Sequence, residues 1–337
     1  MKSIVVRSPK EPLALEDRDQ PEPGPGQVRV KVHACGVCHS DRLVTEALWP
    51  GLQLPRVPGH EVAGVVDEVG VGVDQLKPGD RVGLGWHGGH DGTCDVCLSG
   101  RFIHCRNAQI TGISYDGGYS EYLVAPAVAL ARVPEELSFA EAAPLLCAGV
   151  TTFNALRNAG ARPGDLVGVH GLGGLGHLGV QYARAMGFTV VALSRGTDKK
   201  EFAGKLGAHH YVDTTQPDFT RQLQDLGGAR VILATAPHAK SISALVPGLG
   251  LEGCLLIVAA AFEPIQIGAI DLLSRDARVQ GWSSGTAADS TDAMAFAAKH
   301  GVRPMIETWP LAEASKAVGA MMDGTVRFRA VVETGAA

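Results

Sequence analysis

Hydrophobic patterning gives the chain two textures. In its first third, short β-type runs are cut by Pro and Gly: VRVKVHACG at 28–36, EVAGVVDEVG at 61–70 and DRVGLGW at 80–86. Such runs predict an irregular, mostly β domain. From about residue 149 the texture changes to strand-length apolar runs separated by helix-like stretches. Six strands are expected there: LVGVH (166–170), TVVAL (189–193), HHYVD (209–213), RVILA (230–234), CLLIVAA (254–260) and RVQGW (278–282). This alternation is the pattern of an α/β doubly wound parallel sheet. Two helix-like segments near DAMAFAAKH and LAEASKAVGAMM follow, and then a last strand, FRAVVE. The expected division is one domain over 1–148 and 284–337 and a second over 149–283. Two domains also suit 337 residues, since domains usually hold about 100 to 200 residues and larger cores tend to split. No internal repeat or low-complexity tract interrupts this plan.

Composition narrows the function classes. With 45% hydrophobic and 19% charged residues the chain resembles a globular enzyme, not a disordered segment or a fibre. A net charge of -5 with no Lys/Arg block gives no footprint for nucleic acid or an anionic membrane, so the expected partner is a small molecule. MKSIVVRSPK lacks the apolar core of a secretory signal, and no run of about 18 apolar residues suggests a membrane span. A cytoplasmic location is expected. Three of the seven cysteines (Cys94, Cys97, Cys105) are clustered, which favours metal binding over a disulfide framework. Cys254, in the run CLLIVAA, reads as a buried core thiol.

The run LVGVH leads into Gly171-Leu172-Gly173-Gly174-Leu175-Gly176 and then the helix-like HLGVQYARAMG. This is G-x-G-x-x-G in the context it requires. The glycines allow a tight turn and close backbone approach, and the helix start offers unpaired N–H groups and a positive dipole end to a pyrophosphate. Where NAD-selective folds place an acid at the end of the second strand, this chain has Ser194 followed by Arg195. A neutral serine leaves room for a 2′-phosphate, which Arg195 could hold with help from Lys199 or Lys200. NADP(H) is therefore favoured, and NAD(H) stays open.

Two metal constellations stand out. Cys38 follows a β-type run, His60 opens the next one, and Cys147 stands in PLLCAGVTTF where the dinucleotide domain should begin. Cys2His with an open position is a known catalytic zinc set, although each residue alone is more often ordinary filler. The second cluster, Asp91-x-x-Cys94-x-x-Cys97 with Cys105 beyond, has the close spacing of a structural zinc site. Asp91 is the candidate fourth ligand and His90 its competitor.

Taken together, CGVCHSD, PGHEVAGVV, GGYSEY, PLLCAGVTTF and GLGGLGHLGVQYARAMG resemble the motifs of the zinc-containing medium-chain alcohol dehydrogenases, in the same order and over nearly the whole chain. The likeness is greatest to the cinnamyl-alcohol-dehydrogenase-like branch. The resemblance implies a GroES-like catalytic domain beside a Rossmann domain, reversible hydride transfer between NAD(P) and a small or aromatic primary alcohol, and a homodimer or homotetramer. By position, Cys38, His60 and Cys147 match catalytic zinc ligands. Glu61 matches an acid that can approach the metal, and Asp41 a carboxylate that orients His60. Ser40 matches the hydroxyl that takes the substrate proton, His39 a pyrophosphate contact and Thr151 a residue beside the nicotinamide. Trp49 and Trp86 match walls of the substrate pocket. Two positions depart from the family pattern: Asp91 replaces a structural-zinc cysteine, and Leu43 replaces a histidine that passes the proton to solvent. Rival readings are a zinc-free quinone or enoyl reductase on the same fold and a non-enzymatic zinc-storage or redox protein.

Overall fold

Strand Gln27–Gly36 shows how the pattern becomes structure. Val28, Val30, Val32 and Ala34 are buried, and the polar residues between them are only partly so, because successive strand residues face opposite sides of a sheet. In this computed structural model, which describes residues 1–335, the strand organises a seven-stranded sheet. One side pairs antiparallel with Val62–Val69, which leads on to Arg81–Leu84 and Leu130–Arg132. The other side is shared: residues 27–31 pair with Tyr122–Pro126, and residues 34–36 pair with Arg329–Glu333. Arg329–Glu333 pairs in turn with Ile306–Pro310, in parallel. Val30, Val32, Val62, Val66, Leu84 and Leu123 fill the core with Leu311 and Ala314 from the late segment. This unit comprises Met1–Val150, Gly285–Lys299 and the residues from Arg303 onward.

The second unit, Thr151–Ser284 with His300–Val302, carries a six-stranded sheet. Across it run His210–Asp213, Thr189–Ser194, Leu166–His170, Ala229–Ala234, Leu249–Ile257 and Arg278–Gly281, all parallel. Numbered along the chain this is 3-2-1-4-5-6, the Rossmann order, with its switch point between Leu166–His170 and Ala229–Ala234. All five residues of Leu166–His170 are buried, as an apolar run covered on both faces should be.

Some boundaries differ from those expected. Leu249–Ile257 starts five residues ahead of CLLIVAA and ends three earlier. Its register jumps from Ala229 opposite Leu249 to Val231 opposite Cys254, with Glu252 in the left-handed region, so a Gly-flanked bulge joins Leu249 to the same strand. Helix Ala287–His300 also starts ahead of DAMAFAAKH. The cause is a cap: the Thr286 N–H and hydroxyl both donate to Asp289 Oδ2, at 2.8 and 2.9 Å. One helical stretch, Phe139–Arg157, has the length and mean hydropathy (1.2) of a membrane span. Its most apolar window is 78% buried inside the fold, which makes it a core helix.

Candidate active site and metal centres

Cys38 lies where strand Gln27–Gly36 has ended and the short 3-10 turn His39–Asp41 begins. Asp41 closes this turn by accepting the Cys38 N–H at 3.0 Å on Oδ2. His60 and Glu61 precede strand Val62–Val69, reached through Gly59 at φ +99°. A Cβ there would sit 2.7 Å from Tyr119 and 2.8 Å from Cys35 Sγ, so both the backbone angle and the space require glycine. Cys147 comes from a helix interrupted by Pro144, which has no N–H to donate. The residues directly after it, Leu145–Gly149, form a π turn.

These elements bring ligand atoms of Cys38, His60, Glu61 and Cys147 within 4.8 Å of one another. The two sulfurs are 4.0 Å apart. His60 is 2% exposed; its Nδ1 lies 3.1 Å from Asp41 Oδ1, while its buried Nε2 has no hydrogen-bond partner. Asp41 is held as well by the Tyr119 hydroxyl, which donates to Oδ2 at 2.7 Å. Contact with the Cys147 thiol, helped by His60, holds the Cys38 thiol well below its ordinary range against the opposing effect of burial. Cys147 is raised by the same contact and by burial. Burial opposes charge on His60, but Cys38 and Asp41 outweigh it and raise the imidazole. Glu61 is fully buried and forms an ion pair with Arg329, which is 5% exposed. Burial pushes the Glu61 carboxyl up, and Arg329 opposes that rise. An orphaned imidazole nitrogen, two apposed sulfurs and a nearby carboxylate form a donor set that fits a tetrahedral zinc ion.

Beside His60 the chain builds an apolar wall. The Trp86 ring meets His60 edge-on at 5.0 Å between centroids, and Trp49 meets Trp86 at 6.0 Å. Leu43, Leu52, Leu54 and Ile110 pack into the same cluster. Leu43 thus occupies a hydrophobic site and has no group to carry a proton. Ser40 and His39 share the 3-10 turn after Cys38, with Ser40 partly buried and His39 exposed.

In the second cluster, atoms of Asp91, Cys94, Cys97 and Cys105 also lie within 4.8 Å of one another. Cys94 caps the single-turn helix Asp95–Leu98, its sulfur accepting the Cys97 N–H at 3.4 Å. The peptide N–H groups of Cys94 and Thr93 hold the Asp91 carboxyl well below the usual carboxylate range. His90 is not in the ligand group; its ring lies tilted 4.5 Å from Phe102 and stacks 5.2 Å from His87.

In the second unit, Leu166–His170 enters the glycine turn and helix Gly176–Ala185 leaves it. Gly171 has φ +92°, and a Cβ on Gly176 would lie 1.7 Å from the Gly171 carbonyl oxygen. A Cβ on Gly173 would meet nothing within 4 Å, so this backbone is open to a close-lying pyrophosphate. Gly174 and Leu175 complete the turn. Ser194 ends strand Thr189–Ser194 and is buried, whereas Arg195 is exposed. Lys199 Nζ donates to the Leu172 carbonyl at 2.9 Å, which ties the loop after the second strand to the glycine turn. Thr151 is 7% exposed, in helix Val150–Arg157.

Tyr119 lies in the motif GGYSEY and Arg329 in the strand FRAVVE, but nothing in the sequence gives either a supporting role; their contacts to Asp41 and Glu61 span 78 and 268 residues. Asp213 ends the neighbouring strand opposite Ser194 and accepts the Gly196 N–H at 2.8 Å, fixing the loop that carries Arg195.

Residues 24–135 match the alcohol dehydrogenase GroES-like domain, and residues 174–299 match the zinc-binding dehydrogenase domain. The chain is 47% identical over 331 residues to alcohol dehydrogenase patD of Penicillium expansum, covering 98% of this chain and 97% of that one. It is 39% identical over 335 residues to an alcohol dehydrogenase of Geobacillus stearothermophilus, covering 99% of each. A cinnamyl alcohol dehydrogenase structure from Sorghum bicolor superposes with a TM-score of 0.90 at 33% identity, covering 100% of this chain and 98% of that one.

Proposed function

The chain belongs to the medium-chain alcohol dehydrogenase family, and from that premise we propose that it is a zinc-dependent enzyme exchanging a hydride between NAD(P) and a small or aromatic primary alcohol. The observation that carries the zinc reading is the buried, partnerless Nε2 of His60, which belongs to the same group of donor atoms as the Cys38 and Cys147 sulfurs. Cys38, His60 and Cys147 would hold the catalytic ion, with Glu61 as an alternate ligand. Asp91, Cys94, Cys97 and Cys105 would hold a structural one. A metal-free quinone or enoyl reductase would have no use for either group.

When bound, zinc supplies Lewis acidity toward the alcohol oxygen and the nicotinamide supplies the hydride-accepting carbon. The chain's own residues do the rest. Asp41, fixed by Tyr119 and the Cys38 N–H, orients His60 through Nδ1 and leaves Nε2 for the metal. The Ser40 hydroxyl would take the substrate's hydroxyl proton and pass its own onward, to the ribose of a bound cofactor or to water, because Leu43 offers no relay. Trp49 and Trp86 exclude water and favour small or flat alcohols. In the oxidation direction Ser40 would take the alcohol's proton, and a bound NAD(P) would supply the hydride acceptor needed to reach the aldehyde.

Gly171, Gly173, Gly174, Leu175 and Gly176 would cradle the pyrophosphate, with His39 as a further contact and Thr151 beside the nicotinamide. Ser194, Arg195 and Lys199 favour NADP(H), since a neutral strand end followed by an exposed arginine accepts a 2′-phosphate. A homodimer or homotetramer in the cytoplasm completes the reading, with Arg278–Gly281 as the free edge of its sheet.

Metal content and turnover with benzyl alcohol and ethanol, using NADP and NAD in parallel, test this directly. About two zinc ions per subunit and alcohol-dependent reduction are expected. Cys38→Ser and His60→Ala should each lose one zinc and nearly all turnover; an active variant lacking that zinc would refute the assignment.

A further inference from the structure

The Asp91 cluster differs from a four-cysteine site in one chemical respect: a sulfur has no second atom to orient, but a carboxylate has two oxygens and a rotatable bond. Its donors fit zinc. Three sulfurs and a carboxylate oxygen converge, and backbone N–H groups compensate the sulfur charge. Asp91 and Asn107 donate to Cys105 Sγ at 3.4 and 3.3 Å, and Cys97 donates to Cys94 Sγ at 3.4 Å.

Counting lone pairs identifies the ligand atom. Asp91 Oδ1 accepts the N–H groups of Thr93 and Cys94, at 2.8 and 3.0 Å, which uses both of its lone pairs. Asp91 Oδ2 accepts one bond, from Asn107 Nδ2 at 2.6 Å, and keeps one lone pair. We propose that Asn107 is a positioning residue for this metal site: its amide fixes the Asp91 carboxylate so that the remaining lone pair of Oδ2 serves as the single oxygen ligand. Asn107 touches two of the four ligands, Cys105 through its backbone and Asp91 through its side chain. Only the side-chain contact depends on Asp91 being a carboxylate.

The proposal rests on this cluster holding zinc, and the experiment keeps the two failures apart. Zinc release from the full chain is followed with a colorimetric chelator, and Asp91→Ala identifies the phase that belongs to this cluster. Asn107→Ala should release that zinc about 10- to 100-fold faster, the usual cost of losing a partner that orients a ligand. Asn107→Asp is nearly isosteric but sets a like charge against Asp91, so it should release zinc at least as fast. In an Asp91→Cys background, Asn107→Ala should change the rate less than about threefold, because no carboxylate remains to be oriented. Equal release from wild type and Asn107→Ala would overturn the proposal. So would equal acceleration in both backgrounds, which would assign Asn107 to the loop backbone alone. A wild-type chain with no phase sensitive to Asp91→Ala would overturn zinc occupancy itself, and the proposal with it.

Discussion

Replacing Arg329 by methionine isolates what the buried ion pair with Glu61 contributes. Glu61 is fully buried and Arg329 is 5% exposed, so water screens neither charge. Methionine keeps part of the arginine stem and removes the charge, leaving a buried carboxylate whose Oε2 already has no hydrogen bond. Breaking a buried pair by removing one partner costs about 3–5 kcal/mol, where an exposed pair is worth ~1 kcal/mol or less. At 1.36 kcal/mol per factor of ten, the unfolded fraction should rise roughly a hundred- to several-thousand-fold. Urea denaturation measures this, with zinc and dinucleotide held constant because either one shifts the midpoint by binding the native state. The double variant Glu61→Gln/Arg329→Met buries no charge and should recover about 2 kcal/mol or more of the loss. A cost below about 1 kcal/mol for Arg329→Met, or no recovery in the double variant, would refute the view that these are desolvated charges dependent on one another.

Four further outcomes are expected. Gly176→Ala should destabilise the chain by about 1–3 kcal/mol, because its Cβ would lie 1.7 Å from a backbone oxygen. Gly173→Ala has open space around its Cβ, so it should keep the melting temperature and weaken only dinucleotide binding, read by cofactor fluorescence. Burial lowers the His170 imidazole from its ordinary 6.5 to about 4, so it folds neutral; its contribution is complete above pH 6.5 and is lost as pH falls through 4. At 1.36 kcal/mol per pH unit that loss is about 3 kcal/mol, and His170→Leu should flatten the acid limb of the stability curve; an unchanged limb would count against it. Ser194→Asp should move the NADP-to-NAD ratio of kcat/KM toward NAD by about tenfold or more, near 1.4 kcal/mol, through repulsion of a 2′-phosphate. An unchanged ratio would place cofactor discrimination elsewhere.

Much of the architecture could be read along the chain where one physical requirement dominated. Val28, Val30, Val32 and Ala34 mark a strand because only one face of it is buried, and LVGVH marks a central parallel strand because both faces are. Leu249–Ile257 was harder to delimit, since a glycine-flanked bulge makes a strand without strand periodicity. The start of Ala287–His300 depends on Thr286 and Asp289, a cap easily taken for loop residues. At the site, the side chains that converge could be picked out along the chain, Asp41 beside His60 among them, whereas the groups that hold Asp41 and Glu61 could not. Tyr119 on Asp41 and Arg329 on Glu61 acquire their roles only when distant segments meet. The π turn at Leu145–Gly149 is similarly hidden: Pro144 announces a disturbed helix without saying how the chain repairs it.

The Glu61–Arg329 contact also carries a consequence for biosynthesis. Its partners are 268 residues apart, and Arg329 opens the strand that pairs with residues 34–36. At about 5–20 residues per second, Arg329 is made roughly 10 to 50 s after Glu61. Once residue 147 has been made, the nascent chain holds Cys38, His60 and Cys147 but lacks the cation that offsets the buried Glu61. A ribosome stalled between residues 147 and 329 would therefore display these converging side chains without a finished pocket, which closes only after Arg329 has been made.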